Sequence, residues 1–249
     1  MPAKNSIKKT EQFHIGTSGF SYAYWKNRFY PEKLAASKWF EYYCTRFSTL
    51  ELNNTFYRFP EVKNLKKFYE RAPEHFLFSI KAHKIITHTL RMKNAGEKVN
   101  EFVSVVQESM QEKLGCILFQ LPPSFAYTEE NMEHILSSVP HYPSNVIEFR
   151  NSSWWNPTVI KTLHENKITF CNVSYPGLPE TFHKTTDLFY LRMHGVPELF
   201  KSAYSDVQLK KIKENIPAKM KDVYVFFNNT MFEAGYSNAL TLQGLVEKK

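Results

Sequence analysis

Three cysteines, Cys44, Cys116 and Cys171, are odd in number and widely spaced, and no Cys-x-x-Cys pair occurs. That excludes a disulfide scaffold and a structural zinc site. Neither His-Glu-x-x-His nor a paired His-x-His is present, so no ready-made metal motif stands out. Glycine is sparse, at 8 residues, and no Gly-x-Gly-x-x-Gly loop follows the first candidate strand. An open, doubly wound nucleotide-binding sheet is therefore disfavoured. No apolar run approaches a membrane span, and the opening MPAKNSIKKTEQF holds no apolar signal segment. The expectation is a soluble cytoplasmic protein with no membrane partner. No low-complexity tract or residue-level repeat appears.

What is present is hydrophobic and aromatic. Apolar residues make 43% of the chain and Phe, Tyr and Trp alone 16%, ample for a large core. The 249 residues suit one α/β barrel. The formal charge of +8 fits either a solvated basic surface or an anionic partner such as nucleic acid.

Period and punctuation predict eight strands, over 13–16, 49–53, 76–81, 116–121, 146–149, 168–173, 188–193 and 223–228. Helical patterns lie between most of them, over 33–47, 97–114, 129–139 and 206–216, the last after the N-cap Ser205. This alternation predicts a (β/α)8 TIM-type barrel over 13–247, preceded by a flexible tail over 1–12. One link departs from the pattern. Between Val173 and Leu188 two prolines and little room predict an irregular connection between strands six and seven.

Successive side chains of a strand point to opposite faces, so each strand sorts its own residues. Leu50 and Leu52 face the helices, which turns Glu51 and Asn53 inward. By the same rule Ser79 and Lys81, Gln120, Glu148 and Arg150, then Tyr190, Arg192 and His194, and finally Asn228 all point into the barrel. These polar residues come late in their strands, at the end that carries active sites in barrel enzymes. Singly, Ser79, Gln120 and Asn228 serve equally well to satisfy backbone groups, His194 as a turn histidine, and Glu51–Lys81 or Glu148–Arg150 as structural ion pairs. Together they exceed what barrel stability requires, because apolar replacement of such groups is often neutral or stabilising. A ligand site is the better joint explanation.

Several stretches resemble the YecE-like family, a group named as a domain of unknown function. They are Ile15-Gly16-Thr17-Ser18-Gly19-Phe20-Ser21-Tyr22 with Trp25, Phe29-Tyr30-Pro31, and Glu51-Leu52-Asn53-Asn54-Thr55-Phe56-Tyr57. Phe78-Ser79-Ile80-Lys81 with Ile86-Thr87-His88 follows, then Leu118-Phe119-Gln120-Leu121-Pro122-Pro123. Glu148-Phe149-Arg150 with Ser153-Trp154, Arg192-Met193-His194-Gly195, and Phe227-Asn228-Asn229 with Asn238-Ala239 complete the set. The likeness runs from about Phe13 to Leu245. It implies a TIM-type barrel and no assigned reaction. A kinship of such proteins to endonuclease-IV-like barrels rests on fold analogy. One departure stands out: many relatives carry an Asp near the proline after strand six, where this chain has Ser174-Tyr175-Pro176.

Two carboxylates against Lys81, Arg150 and Arg192 leave a formal +1, which favours a phosphate or carboxylate ligand. Thr17, Ser18 and Gly19 are expected either to offer hydroxyl and N–H groups to that anion or to form a small-residue turn. Trp25, Tyr30, Tyr57 and Trp154 follow strand ends and are expected to stack on a sugar or base, with Trp154 serving equally to cap the barrel. The leading expectation is an enzyme, a hydrolase or lyase, acting on a phosphoester or nucleic-acid-derived molecule. Glu148 is its general acid or base, Glu51 the paired carboxylate, Lys81, Arg150 and Arg192 the charge stabilisers, and His194 a proton carrier or a metal ligand. Arg150, Arg192, Asn53, Gln120 and Asn228 are expected to bind substrate. No cofactor is expected, and a single loosely held divalent ion stays open. The alternatives are a non-catalytic nucleic-acid-binding protein and a small-molecule-binding barrel. Oligomeric state is not legible.

Overall fold

The computed structural model describes residues 11–247. Eight parallel strands form one sheet: β1 (Gln12–Thr17), β2 (Thr49–Leu52), β3 (Leu77–Lys81), β4 (Leu114–Gln120), β5 (Asn145–Glu148), β6 (Thr169–Ser174), β7 (Leu188–Met193) and β8 (Asp222–Phe227). From β2 to β8 each strand pairs with the next in sequence, and β8 pairs with β1. The result is a nearly closed TIM-type barrel, as the alternation predicts. All eight expected strands occur, with ends shifted by at most two residues. The expected tail over 1–12 lies outside the described residues as far as position 10, whereas Gln12 already pairs with Asp222 in β1.

Helices α1 (Trp39–Cys44), α2 (Asn54–Tyr57), α3 (Val62–Arg71), α4 (Gly96–Met110), α5 (Glu129–Ser138), α6 (Pro157–Glu165), α7 (Asp206–Asn215) and α8 (Ala234–Glu247) join the strands. Local chemistry starts several of them. Thr128 and Asn156 accept the N–H groups of Asn131 and Val159, and Ser205 forms a reciprocal capping box with Gln208. The helix expected over 33–47 is shorter, because residues 33–35 are non-helical and a 3₁₀ turn over Ala36–Lys38 precedes α1. The pattern over 97–114 overruns as well, since Leu114 already belongs to β4. Between β6 and β7 no helix forms, as the two prolines predict.

Alternation places Cys116, Leu118, Val146, Cys171, Val173, Tyr190, Tyr224 and Phe226 in an inner core. This packed plug fills the barrel beneath its C-terminal mouth and leaves the strand ends to polar groups. A second, larger core lies between strands and helices.

The barrel closes at β1 and β2 by unusual means. These strands share only a bridge at Ser18 and Glu51, together with the Gly19 N–H donating to the Glu51 carbonyl at 2.9 Å. Lower down, the Tyr43 hydroxyl of α1 fills the seam. It accepts the Thr17 N–H at 2.9 Å and donates to the Thr49 carbonyl at 3.0 Å. Gly16 is required beside it, since a Cβ there would lie 2.4 Å from the Thr49 oxygen. Tyr43→Phe leaves a buried N–H and a carbonyl unpaired, with an expected loss of about 1–3 kcal/mol in urea unfolding. An unchanged midpoint would show that the seam closes without the hydroxyl.

Candidate functional site at the barrel mouth

Arg192, near the end of β7, is the centre of the mouth. It is 1% exposed, and Glu51 on β2 and Glu148 on β5 are both 0% exposed. Arg192 donates to both oxygens of Glu51, from Nη2 at 2.6 Å and Nε at 3.0 Å, and from Nη1 to Glu148 Oε2 at 2.6 Å. Arg150, one residue past Phe149, donates from Nε to the other oxygen of Glu148. Two carboxylates and two guanidinium groups thus form a neutral quartet, as burial of charge demands.

Glu51 has no capacity to spare. Besides Arg192 it accepts the Ser18 hydroxyl at 2.6 Å and the Tyr190 hydroxyl at 2.7 Å. Since Tyr190 donates to Glu51, the Ser79 hydroxyl 2.6 Å away donates to Tyr190 in turn. Burial pushes the Glu148 carboxyl up, but Arg150 and Arg192 outweigh it and hold Glu148 well below the usual carboxylate range. Burial likewise works against the Arg192 charge, and Glu148 and Glu51 overcome it.

His194 is fully buried between Tyr175 and Phe200. Its Nε2 meets Arg150 Nη2 at 3.1 Å, and its Nδ1 meets the Asn228 carboxamide at 2.9 Å. The Asn228 Nδ2 donates to Nδ1. Burial, reinforced by Arg150, lowers the His194 pKa to about 3, so the ring stays neutral at ordinary pH. Among the described residues, no cluster of three or more His, Cys, Asp or Glu is arranged as a metal site.

Above the quartet opens a cleft of about 430 Å³. Among the described residues Lys81, Arg150 and Arg192 supply its lining cations, and no carboxylate lines it. Gln120, Asn53, Asn228 and His88 add polar groups, and Tyr22, Phe56, Tyr57, Tyr175 and Phe200 form aromatic walls. Tyr57 is 73% exposed at the rim. The Asn53 Oδ1 is buried without a hydrogen-bond partner. Arg150 lies over the Tyr175 ring at 4.2 Å, which holds its plane toward the cleft.

Lys81 differs from the other cations. It is half-buried, donates to Gln120 Oε1 at 2.8 Å, and stands 4.0 Å from the centre of the Phe56 ring. Among the described residues no carboxylate lies within ion-pair distance of its amine. Burial, then the nearby Arg192 charge, lowers its pKa to about 7. Lys81 therefore holds its proton less tightly than an ordinary lysine does.

Strand alternation thus places Glu51, Lys81, Gln120, Glu148, Arg150, Arg192, His194 and Asn228 together at one end of the barrel. Several expected roles need correction. Trp25 and Trp154 present no stacking surface, because both are 0% exposed. Trp25 packs among Tyr22, Phe29 and Tyr236, and Trp154 lies between Phe149 and Phe125. Tyr30 is equally buried, stacked on Trp39. Thr17 and Ser18 form no anion cradle. The N–H groups of Thr17, Ser18 and Gly19 serve Tyr43, Phe227 and Glu51, and the Thr17 hydroxyl turns back to the Gly19 carbonyl. Glu51 and Glu148 lie beneath the cleft floor as counterions rather than in it. Ser174, the site of the departure from relatives, pairs with the Tyr204 hydroxyl at 2.9 Å and does not line the cleft.

Sequence reasoning gave no role to Phe56, His88, Tyr175 or Phe200. Phe56 and His88 stand inside the recognised motifs, and Tyr175 directly follows a strand end, so position was their available signal. His88 reaches the cleft because the residues after β3, Ile85–Thr89, form a π-helical turn, a geometry common at functional sites.

Arg192→Met should cost about 3–5 kcal/mol in chemical denaturation, because it strands Glu51 and Glu148 as buried charges. Proton uptake on unfolding should change with it near neutral pH. A loss below about 1 kcal/mol, the scale of an exposed pair, would overturn the quartet as the organising contact.

Comparisons with known proteins agree with the fold and leave the chemistry open. A relative from Bacillus subtilis (strain 168), "UPF0759 protein YunF", is 26% identical over 246 residues, covering 80% of this chain and 83% of its own. The crystal structure of a DUF72 family protein from Thermotoga maritima is 30% identical, with a TM-score of 0.85, and the match covers 96% of this chain and all of the other. A DUF72 family protein from Enterococcus faecalis V583 shares the fold at 21% identity, a TM-score of 0.78 and 96% coverage of both chains. Residues 14–249 match the family described as "Protein of unknown function DUF72", and the chain belongs to that family.

Proposed function

We propose that this YecE-like barrel is an enzyme acting on an anionic substrate, a phosphoester or a nucleic-acid-derived molecule, bound in the cleft above Arg192. The observation that carries the reading is the sorting of charge by depth. Both carboxylates are sequestered below, and the surface a ligand meets is cationic. Arg150 offers a planar donor edge to the anion, and Arg192 retains two of the five guanidinium N–H groups beyond its three bonds to the glutamates. The aromatic walls suit a planar or sugar moiety.

The proton-transfer role expected of Glu148 passes to Lys81 in this reading. Glu148 is buried and held as a carboxylate, whereas Lys81 lines the cleft with a pKa of about 7, suited to acid–base work at neutral pH. The test begins with inorganic phosphate and mononucleotides in titration calorimetry, followed by turnover of a phosphoester panel. Arg150→Ala should weaken anion binding at least about tenfold, the scale of one charged hydrogen bond. Lys81→Met should abolish turnover, and wild-type kcat/KM should rise with pH through about 7 as the amine loses its proton. Absence of anion binding would overturn the reading. Steeply salt-dependent binding of long nucleic acid without turnover would favour the non-catalytic alternative.

Stability offers an independent check. The folded Lys81 pKa of about 7 lies below the 10.5 of an unperturbed lysine. Between these values the unfolded chain holds a proton that the folded chain has shed, so this group makes stability rise with pH over that window. Below about pH 7 the burial cost of the ammonium is fully present. Lys81→Met should therefore be more stable than wild type at pH 6, with the difference shrinking toward pH 10. A constant difference across that range would mean an ordinary lysine.

A further inference from the structure

We propose that Lys81 acts covalently: its amine forms an imine with the carbonyl carbon of an oxo-acid or oxo-phosphate whose anionic group is held by Arg150. This rests on the reading of the cleft as an anion site, and it narrows the substrate to a carbonyl compound carrying a carboxylate or phosphate. Geometry separates Lys81 from a lysine that merely attracts anions. Its stem ends a core strand, its amine lies against the face of Phe56, and its hydrogen-bond partner is the neutral Gln120 carboxamide. Ordinary buried lysines find carboxylates, but here both nearby ones are committed to Arg192 and Arg150. An amine desolvated by an aromatic wall and crowded by guanidinium groups is the arrangement that favours nucleophilic lysine.

A proton carrier stands in the same cleft. His88 is half-buried, edge-on to Phe56 at 5.0 Å, with Nδ1 2.9 Å from the Thr87 hydroxyl. With Nδ1–H donated to Thr87, Nε2 is the free nitrogen of the ring. The Lys81 lone pair attacks the carbonyl carbon, and a C–N bond forms as the carbonyl pair moves to oxygen. Nε2 of His88 takes a proton from nitrogen and returns it to that oxygen, giving a carbinolamine. A second such transfer accompanies C–O cleavage and releases water. The sum is an amine plus a carbonyl giving an imine plus water, with no change of oxidation state and His88 restored.

Borohydride trapping tests this on the whole chain. Pyruvate, dihydroxyacetone phosphate and uncharged acetone are incubated separately with the protein, reduced with sodium borohydride, and followed by intact mass and peptide mapping. A single adduct on Lys81 is expected with one or both anionic carbonyls and not with acetone. Lys81→Arg and Lys81→Met should each lose it, and circular dichroism checks their folding. His88→Ala should slow adduct formation about 10²-fold without changing its final extent. Arg150→Ala should remove the preference over acetone. Adducts spread over surface lysines, or none from these three carbonyls in folded wild type, would overturn the proposal. Phosphate binding that needs Arg150 but gives no trapped adduct rejects the imine and keeps the anion reading. Loss of both rejects both.

Discussion

One guanidinium shared between two buried carboxylates is the constraint on which the barrel mouth depends. Arg192 reaches Glu51 across the barrel with two donors and Glu148 with a third, so strands two, five and seven are tied through one side chain. Removing such charges from water is costly, and the cost is offset only when the geometry satisfies nearly every donor and acceptor. That condition is met by the Ser18 and Tyr190 hydroxyls on Glu51 and by Arg150 on Glu148. Ser79 then orders Tyr190 from a further strand.

The chemistry of the cleft follows from this arrangement. Because the quartet is neutral within itself, Lys81 receives no carboxylate of its own. Burial and the nearby Arg192 charge then loosen the hold of its amine on the proton. His194 is silenced by the same logic, since burial and Arg150 keep it neutral while it props the guanidinium against Glu148. Glutamates fixed as counterions, a histidine fixed as a support and a lysine left unpaired divide the labour within a few strand ends. The inner apolar core beneath them makes the site shallow, which confines any ligand to the mouth.

Much of this was legible in the sequence because strand geometry is strict. A period of two residues sends Glu51 to the same interior as Arg192 whatever the rest of the chain does, and Leu50 and Leu52 reveal which face is which. The two prolines after Val173 announced a connection without a helix. Loop residues had no such rule. Trp25 and Trp154 follow strand ends just as Tyr57 does, yet two are buried in aromatic packing and one is exposed at the rim. All three are aromatic residues a few positions past a strand end, and only packing against distant partners such as Tyr236 or Phe125 separates them. His88 was hidden for a related reason, since a π-helical turn carries it into the cleft.

By itself the sequence determined the barrel, the end that carries polar groups, and the side chains that face inward, because each depends on local period and on the cost of exposing apolar strands. Tertiary structure decided the roles. Which carboxylate pairs with which guanidinium, whether a hydroxyl such as Ser18 serves a ligand or Glu51, and which cation is left without a counterion depend on distances between strands far apart in the chain. Glu148 and Arg150 show the division plainly. Their shared face was fixed by two residues of spacing, but their function as a pair closed over Arg192 and His194 arises only where β5 and β7 meet across the mouth.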